Sequence, residues 1–189
     1  PARNVKELVA LAKARPGALS YASGGTGTST QLLMEWFKLR SGVNIVHIPY
    51  KGTGPALVEQ LSGRIEVAFS TIIAVLPYTQ SGRLRALAVS TRERFPTLPG
   101  VPAVAESGLK DFDGGSWQGI VMPAGSPRDA VNNASIELMK MLRSPDTREK
   151  ILAMGGITLG NSPEDFSAFI RAEIEKWAKV VKAAGIRGE

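Results

Sequence analysis

The sequence predicts an α/β fold built on a mostly parallel sheet, and three observations lead to this prediction. Short apolar runs of strand length alternate with segments of helical periodicity through the first half of the 189-residue chain. Two of these runs lead into glycine-bearing turns and helix starts, at 21–30 and 46–55. Beyond residue 125 the pattern is helical, so the second part of the chain is expected to be rich in helices.

The elements of the first part are delimited by apolar runs and by the signals that end helices. Apolar residues at helical spacing stop at Pro-Gly or Ser-Gly pairs, and Pro55 stands where a first helical residue is expected. The predicted helices contain residues 5–12, 32–39, 55–61 and 72–76. The predicted strands are 19–23, 44–48, 65–69, 84–90 and, after a proline-rich connection, 120–122.

The second part is marked by three Ser-Pro pairs and by one long amphipathic helix. Each pair predicts a helix start, with the serine as the cap and the proline in the first turn. The pairs are Ser126-Pro127, Ser144-Pro145 and Ser162-Pro163. In the last helix an apolar stripe runs from Phe166 to Val181, and it is expected to be core that another surface must cover.

Composition excludes several classes of function. The chain has no cysteine, which excludes disulfides, thiol catalysis and Cys-ligated zinc, and one histidine makes a metal cofactor unexpected. The net charge is +6, but the basic residues are scattered singly and carry no interleaved aromatics, so no nucleic-acid partner is expected. No apolar stretch approaches the roughly 20 residues that span a bilayer. Pro1 leads directly into a helical pattern, so any targeting segment is expected to have been removed or never present.

The glycine-rich turn after the first strand is the strongest candidate for a binding site. Gly25, Thr26, Gly27 and Thr28 precede a helix start, where unpaired N–H groups and the helix dipole favour an anion. The turn lacks the third glycine of a dinucleotide fingerprint and the Lys-Ser/Thr of a P-loop, so nucleotide binding is disfavoured. On these residues alone, a turn whose glycines serve geometry only is an equally good interpretation.

A serine hydrolase is the alternative from another functional class. Its nucleophile would be Ser23 or Ser116, although Gln118 stands where a nucleophile elbow requires glycine. The necessary base is missing, because the single histidine, His47, lies between Val46 and Ile48 in a predicted strand and is expected to be a packed side chain. A ligand-free oligomeric interaction module is a third interpretation.

Several stretches together resemble one known family in order along nearly the whole chain. Among them are Tyr21-Ala-Ser-Gly-Gly25, His47-Ile-Pro-Tyr-Lys-Gly52, Ser81-Gly-Arg-Leu-Arg-Ala-Leu-Ala88 and Pro123-Ala-Gly-Ser-Pro127. On these motifs the chain resembles the solute-binding receptors of tripartite tricarboxylate transporters, the Bug-type periplasmic binding proteins. The resemblance implies a non-enzymatic protein without a cofactor, whose lobes close over a small carboxylate and deliver it to a membrane permease.

The resemblance also implies a domain organisation and a set of site residues. Residues 1–111 resemble the second α/β lobe of a type II periplasmic binding protein, and residues 112–189 resemble the helix-rich return segment of the first lobe. The family's earlier part of the first lobe has no counterpart here, so weak binding and homodimerisation through the exposed apolar stripe are expected. The implied ligand contacts are Gly25, Thr26, Gly27, Thr28, Ser70 and Thr71, with Ser116 and Trp117 on the returning connection.

Overall fold

The computed structural model describes residues 1–187 and divides the chain into two compact units. The first, called the sheet unit here, comprises residues 1–116 together with residues 179–187. The second, called the helical unit, comprises Trp117–Ala178. Assignment of these units to the two lobes of a receptor stays a prediction.

The sheet unit contains three strands that alternate with helices. Its elements are α1 (Val5–Ala14), β1 (Ser20–Ser23), α2 (Ser29–Ser41), β2 (Val46–Pro49), α3 (Thr53–Leu61), β3 (Val67–Ala68), α4 (Ile72–Gln80) and a 3₁₀ helix (Val104–Ser107). The strands form a parallel sheet in the order β2-β1-β3, with Tyr21 opposite both His47 and Val67. The predicted α/β fold with a parallel sheet is confirmed.

The core of the sheet unit lies around β1 and α2. Tyr21, Ala22 and Ile45 are almost completely buried. An aromatic group continues this core, since Phe112 is inaccessible and stacks on Trp36 and Phe69 with centroids 4.3 and 6.1 Å apart. Phe112 therefore belongs to the packing of the sheet unit, although it lies just beyond the predicted boundary at residue 111.

Two of the three predicted Ser-Pro caps are confirmed. Thr147 N donates to Ser144 Oγ at 3.3 Å, and Asp165 N donates to Ser162 Oγ at 3.0 Å. The prediction is wrong at Ser126, whose hydroxyl donates to the Pro123 carbonyl at 2.8 Å, while Pro127 takes the cap position. The hydroxyl is used inside the preceding turn, so it does not reach the first-turn amides.

Two predicted strands are wrong. Over 84–90 the chain forms one isolated parallel bridge, Val89 with Ala103, and no ladder. Ile120, Val121 and Met122 form no strand, and their exposed fractions are 68%, 76% and 42%. An apolar run becomes a strand only where another strand offers a ladder of hydrogen-bond partners. Within residues 1–187 these segments form no ladder beyond the single bridge of Val89.

The helical unit is built from α5 (Arg128–Arg143), α6 (Pro145–Ala153) and most of α7 (Pro163–Ala184). Trp117 packs edge-on against Phe166 and Phe169 of α7, with centroids 5.6 and 5.4 Å apart. The predicted core stripe of α7 is only partly covered, because Ile174 is 63% exposed. Within residues 1–187 no helix combines the length and the apolarity that crossing a bilayer requires.

Candidate functional site: the carboxyl end of the parallel sheet

Three loops meet at one end of the sheet because the strands are parallel and each leads into a helix. The loop after β1, residues 24–28, is joined to the loop after β2 by two backbone bonds: Tyr50 N donates to Ser23 O at 3.1 Å, and Gly52 N donates to Gly24 O at 3.0 Å. The third loop contains Ser70 and Thr71, which follow β3 beside β1. Open α/β sheets place their ligands at this end.

The three helices that begin at this end have no side-chain caps. Thr28, Gly52 and Thr71 occupy the cap positions of α2, α3 and α4, and none of them accepts a first-turn hydrogen bond through its side chain. By contrast, Asn4 Oδ1 accepts from Glu7 N at the start of α1. Uncapped first turns leave N–H donors and the positive ends of three helix dipoles at the carboxyl end of the sheet, which favours binding of an anion there.

The loop of residues 24–28 needs glycine for its path. Gly25 has φ +127° and Gly27 has φ +77°, conformations that L residues rarely adopt. A Cβ on Gly25 would also lie 3.2 Å from the Tyr50 carbonyl oxygen, which is tight. A Cβ added to Gly27 would have no atom within 4 Å and would face open space. The glycines thus serve two purposes, close packing against the neighbouring loop and an unobstructed backbone.

Threonine hydroxyls hold the loop to the start of α2. Thr28 Oγ1 donates to Gly25 O at 2.7 Å, and Gly24 N donates to Thr30 Oγ1 at 3.0 Å. Thr26 is exposed at the turn. The turn predicted from the sequence is therefore ordered by its own side chains, and Thr26 is the hydroxyl residue it presents to solvent.

Beneath the loop lies a chain of polar contacts that the sequence did not indicate. Gly27 N donates to Gln31 Oε1 at 2.6 Å, Gln31 Nε2 lies 3.2 Å from His47 Nδ1, and His47 Nε2 lies 2.6 Å from Ser23 Oγ. Burial lowers the pKa of His47, which also stacks on the Tyr21 ring at 4.7 Å. The Gly27–Gln31 bond joins residues four apart, but spacing alone could not reveal the contacts of His47, since those depend on the register of β1 against β2.

A second polar group fixes α2 on the sheet. The Tyr21 hydroxyl donates to Glu35 Oε1 at 2.6 Å, and Lys38 Nζ donates to the same oxygen at 2.8 Å. Burial and the Glu35 carboxylate raise the pKa of Tyr21, so its phenol stays protonated and remains a donor. The buried carboxylate is paired with a charge and with a neutral donor, as buried charges require.

The structure gathers part of the predicted site at this sheet end. Gly25, Thr26, Gly27 and Thr28 form the loop, and the exposed residues Ser70 and Thr71 belong to the neighbouring one. Ser116 is an exposed residue at the end of the first segment of the sheet unit. Trp117 opens the helical unit, where it packs on Phe166 and Phe169. Ligand contact by any of these residues stays a prediction.

Comparison with known proteins decides the family. A model described as the tripartite tricarboxylate transporter family receptor matches residues 1–186. The chain belongs to this family. Protein BugT of Bordetella pertussis is 36% identical over 180 residues, covering 95% of this chain and 55% of BugT. A protein from the tcbD-tcbE intergenic region of Pseudomonas sp. strain P51 is 34% identical, with coverages of 95% and 54%.

Solved structures of similar proteins agree with this assignment. The receptor-family chain matches R. palustris Rpa4515 with adipate at a TM-score of 0.88 and 34% identity, covering 98% of this chain and 62% of the other. It matches the periplasmic binding protein BugD at 0.84 and 32%, covering 100% and 64%. MatC of Rhodopseudomonas palustris with bound malate matches at 0.79 and 25%, covering 96% and 63%.

Two facts follow for this receptor-family chain. It spans about half the length of the curated relatives it matches. The family consists of solute-binding receptors rather than enzymes, which rejects the serine hydrolase alternative. The expectation that no base lies near Ser23 is nevertheless wrong, because His47 Nε2 lies within hydrogen-bond distance of Ser23 Oγ. Ser23 is only 1% exposed, so a substrate has no access to its hydroxyl.

Proposed function

We propose that this chain is part of an extracytoplasmic solute-binding receptor that captures a small carboxylate for a tripartite tricarboxylate-type transporter. The observation that carries the proposal is the group of three uncapped helix N-termini at the carboxyl end of one parallel sheet. Relatives that were solved with adipate and with malate support a dicarboxylate as the ligand class. Tricarboxylates and acidic amino acids present the same chemical group.

In this proposal one carboxylate of the ligand lies against the loop of residues 24–28. It accepts hydrogen bonds from first-turn amides of α2 and from the Thr26 hydroxyl, directly or through water. Ser70 and Thr71 contribute hydroxyls from the neighbouring loop. The excess of basic residues among positions 1–111, 13 Lys and Arg against 7 Asp and Glu, steers an anion toward this unit.

The receptor role adds a conformational step and a partner. We infer that the ligand prefers a closed arrangement of the complete receptor, so that binding shifts a pre-existing equilibrium toward closure. The closed receptor then delivers the ligand to the membrane permease of the transporter in the periplasm. Ser116 and Trp117 are the weakest of the proposed contacts, since Trp117 already packs on α7.

The test is a titration of the isotope-labelled chain with adipate and malate, followed by NMR. We expect the amide signals of residues 24–28, 70 and 71 to move, with affinity no tighter than millimolar because the chain spans half of its relatives. Gly25→Ala should abolish these shifts, since its Cβ would crowd the Tyr50 carbonyl at positive φ. Gly63→Ala is the matched control, because Gly63 also has positive φ but has nothing within 4 Å.

Two results would contradict the proposal. One is an unchanged titration in Gly25→Ala, and the other is a set of shifts confined to residues outside these loops. Binding tighter than millimolar would leave the site in place but contradict the expectation that this chain forms only part of the cleft.

A second role, self-association, is favoured by the apolar surface of the helical unit. Large apolar side chains there are more than half exposed, among them Ile120, Val121, Leu159 and Ile174. Exposed apolar surface of this kind marks sites that pack against another protein surface. We propose that the isolated chain forms a homodimer in which a second copy covers this surface.

A further inference from the structure

We propose that Gln31 and His47 are positioning residues that hold the loop of residues 24–28 from below, with His47 in the neutral form that carries its hydrogen on Nε2. The inference concerns the conformation of the loop, and its effect on a ligand rests on the proposed function. Neither residue belongs to the loop. Gln31 accepts directly from Gly27 N at 2.6 Å, and His47 lies 2.6 Å from Ser23 Oγ, which in turn accepts from Gly25 N.

The direction of each hydrogen bond follows from one fixed donor. Gly27 N–H can only donate, so the Gln31 atom that faces it at 2.6 Å must be the amide oxygen. The NH₂ group of Gln31 therefore points at His47 Nδ1, 3.2 Å away, and donates to it. A nitrogen that accepts carries no hydrogen, so neutral His47 carries its hydrogen on Nε2 and donates it to Ser23 Oγ.

Ser23 then completes the chain of bonds back to the loop. A hydroxyl has one hydrogen to donate and two lone pairs that accept. Ser23 Oγ accepts from His47 Nε2 and from Gly25 N, and it donates to Gly25 O at 3.2 Å. Its hydrogen-bonding capacity is fully used. Because His47 donates to this oxygen, it cannot remove the hydroxyl proton, which explains physically why the pair does not work as a nucleophile and base.

Burial makes these bonds hard to replace. Ser23 is 1% exposed and Gln31 is 5% exposed, so water has little access to either side chain. A buried polar group that loses its partner keeps the full desolvation penalty. The loop is thus hydrogen-bonded to Ser23 at Gly25 and to Gln31 at Gly27. His47 connects these two side chains, because it bonds to both of them.

Protonation of His47 would break this arrangement. A hydrogen on Nδ1 would face the NH₂ group of Gln31, so the amide would have to turn over and withdraw its oxygen from Gly27. The charged groups that act on His47 are Glu35 and Lys38, which pair with each other on α2 and act in opposite directions. The ring stacked on His47 is the neutral phenol of Tyr21. Burial lowers the pKa of His47, in keeping with the neutral form.

NMR can observe this imidazole directly because the chain has one histidine. In the unmodified chain at neutral pH, the ¹⁵N shifts should show a hydrogen on Nε2 and none on Nδ1. Gln31→Glu keeps an acceptor for Gly27 but offers no donor to Nδ1. It should therefore move the hydrogen to Nδ1 or protonate the ring, and raise the His47 pKa.

The loop is followed through the Gly27 amide. Gln31→Leu removes both functional groups, and it should speed exchange of the Gly27 hydrogen at least tenfold and weaken the adipate-induced shifts. Gln31→Glu should rescue the Gly27 amide. Gln60→Leu is the matched control, because Gln60 on α3 has a buried Oε1 without a hydrogen-bond partner in the described chain. It should leave Gly27 and His47 unchanged.

The outcomes separate this inference from the proposed function. A hydrogen on Nδ1 in the unmodified chain overturns the inference, as does a Gly27 amide that is indifferent to Gln31→Leu. The expected tautomer and exchange rates without adipate or malate shifts would support the positioning role and overturn the proposed ligand class. Equal effects of Gln31→Leu and Gln60→Leu on Gly27 would reveal general loosening of the unit and also overturn the inference.

Discussion

The sheet unit and the helical unit bury their apolar side chains to very different degrees. All the buried apolar residues described within residues 1–187, from Val5 to Val180, lie in the sheet unit. In the helical unit the apolar residues of the 120–122 segment are exposed, with Val121 at 76%, and Ile174 of α7 is 63% exposed. The sheet unit therefore has its own core, whereas the helical unit carries exposed apolar surface.

The difference shows which forces specify each unit. In the sheet unit, long-range packing around Tyr21 and Phe112 orders the loops that follow the strands. The helical unit relies more on local contacts, such as Lys140 with Glu137 and Lys150 with Asp146. Exposed ion pairs of this kind contribute about 0.3–0.5 kcal/mol each. Local contacts specify helices but leave the helix faces without a defined partner.

The largest expected effect is a core truncation in the sheet unit. Phe112→Ala should lower the free energy of unfolding of the sheet unit by about 3–5 kcal/mol, because the Phe112 ring is inaccessible and stacks on Trp36 and Phe69. Phe169→Ala in the helical unit should cost less, since that ring is only half-buried. Urea unfolding followed by amide exchange within each unit measures both. Equal losses would remove the distinction between the units.

A smaller effect is expected from crowding the tightest glycine contact described in the helical unit. In Gly119→Ala the added Cβ would lie 2.1 Å from Phe166 Cζ, so the ring, which packs edge-on against Trp117, must move. Overpacking of this kind costs about 1–3 kcal/mol. Gly115→Ala is the control, because nothing lies within 4 Å of its added Cβ. Tryptophan fluorescence during thermal unfolding reports the loss, and identical curves for both variants would show that Gly119 is not packed.

Self-association is expected to respond to charge placed on the exposed face of α7. Ile174→Glu should weaken a dimer at least tenfold, or about 1.4 kcal/mol, because the new carboxylate would be buried without a partner. Val58→Glu is the control, since Val58 is equally exposed but lies on α3 of the sheet unit. Native mass spectrometry across a concentration series measures the dimer. A monomer at every concentration would contradict the homodimer proposal.

The smallest expected effect is an acid-dependent loss of stability in the sheet unit. Hydrogen bonds from Arg94 and from the Ala103 amide lower the pKa of Glu106 to about 2. A lowered carboxyl pKa contributes stability above its unfolded value and loses it as the pH falls toward the folded value. The unfolding midpoint should therefore fall between pH 4.5 and 2 more steeply in the unmodified chain than in Glu106→Gln. Parallel pH profiles would contradict this.

Much of the fold could be predicted from local signals. Helix periodicity and turn residues placed α1 to α4 and the three strands between them, and the serines at 144 and 162 cap their helices as expected. These features depend on neighbours in sequence, so a single sequence is sufficient to find them. The strands predicted at 84–90 and 120–122 are wrong, because an apolar run forms a strand only when it pairs with a partner elsewhere in the chain.

The candidate site divides in the same way. The glycine turn at 25–28 was visible in the sequence, since glycines and hydroxyls before a helix start are a local pattern. The roles of Gln31 and His47 were not, because only the pairing of β1 with β2 brings the histidine beside Tyr21 and Ser23. The sequence by itself determined the loop and its glycines. Tertiary structure alone decided that His47 joins Ser23 and Gln31 beneath the loop, because hydrogen bonds between distant segments form only once the sheet has set their register.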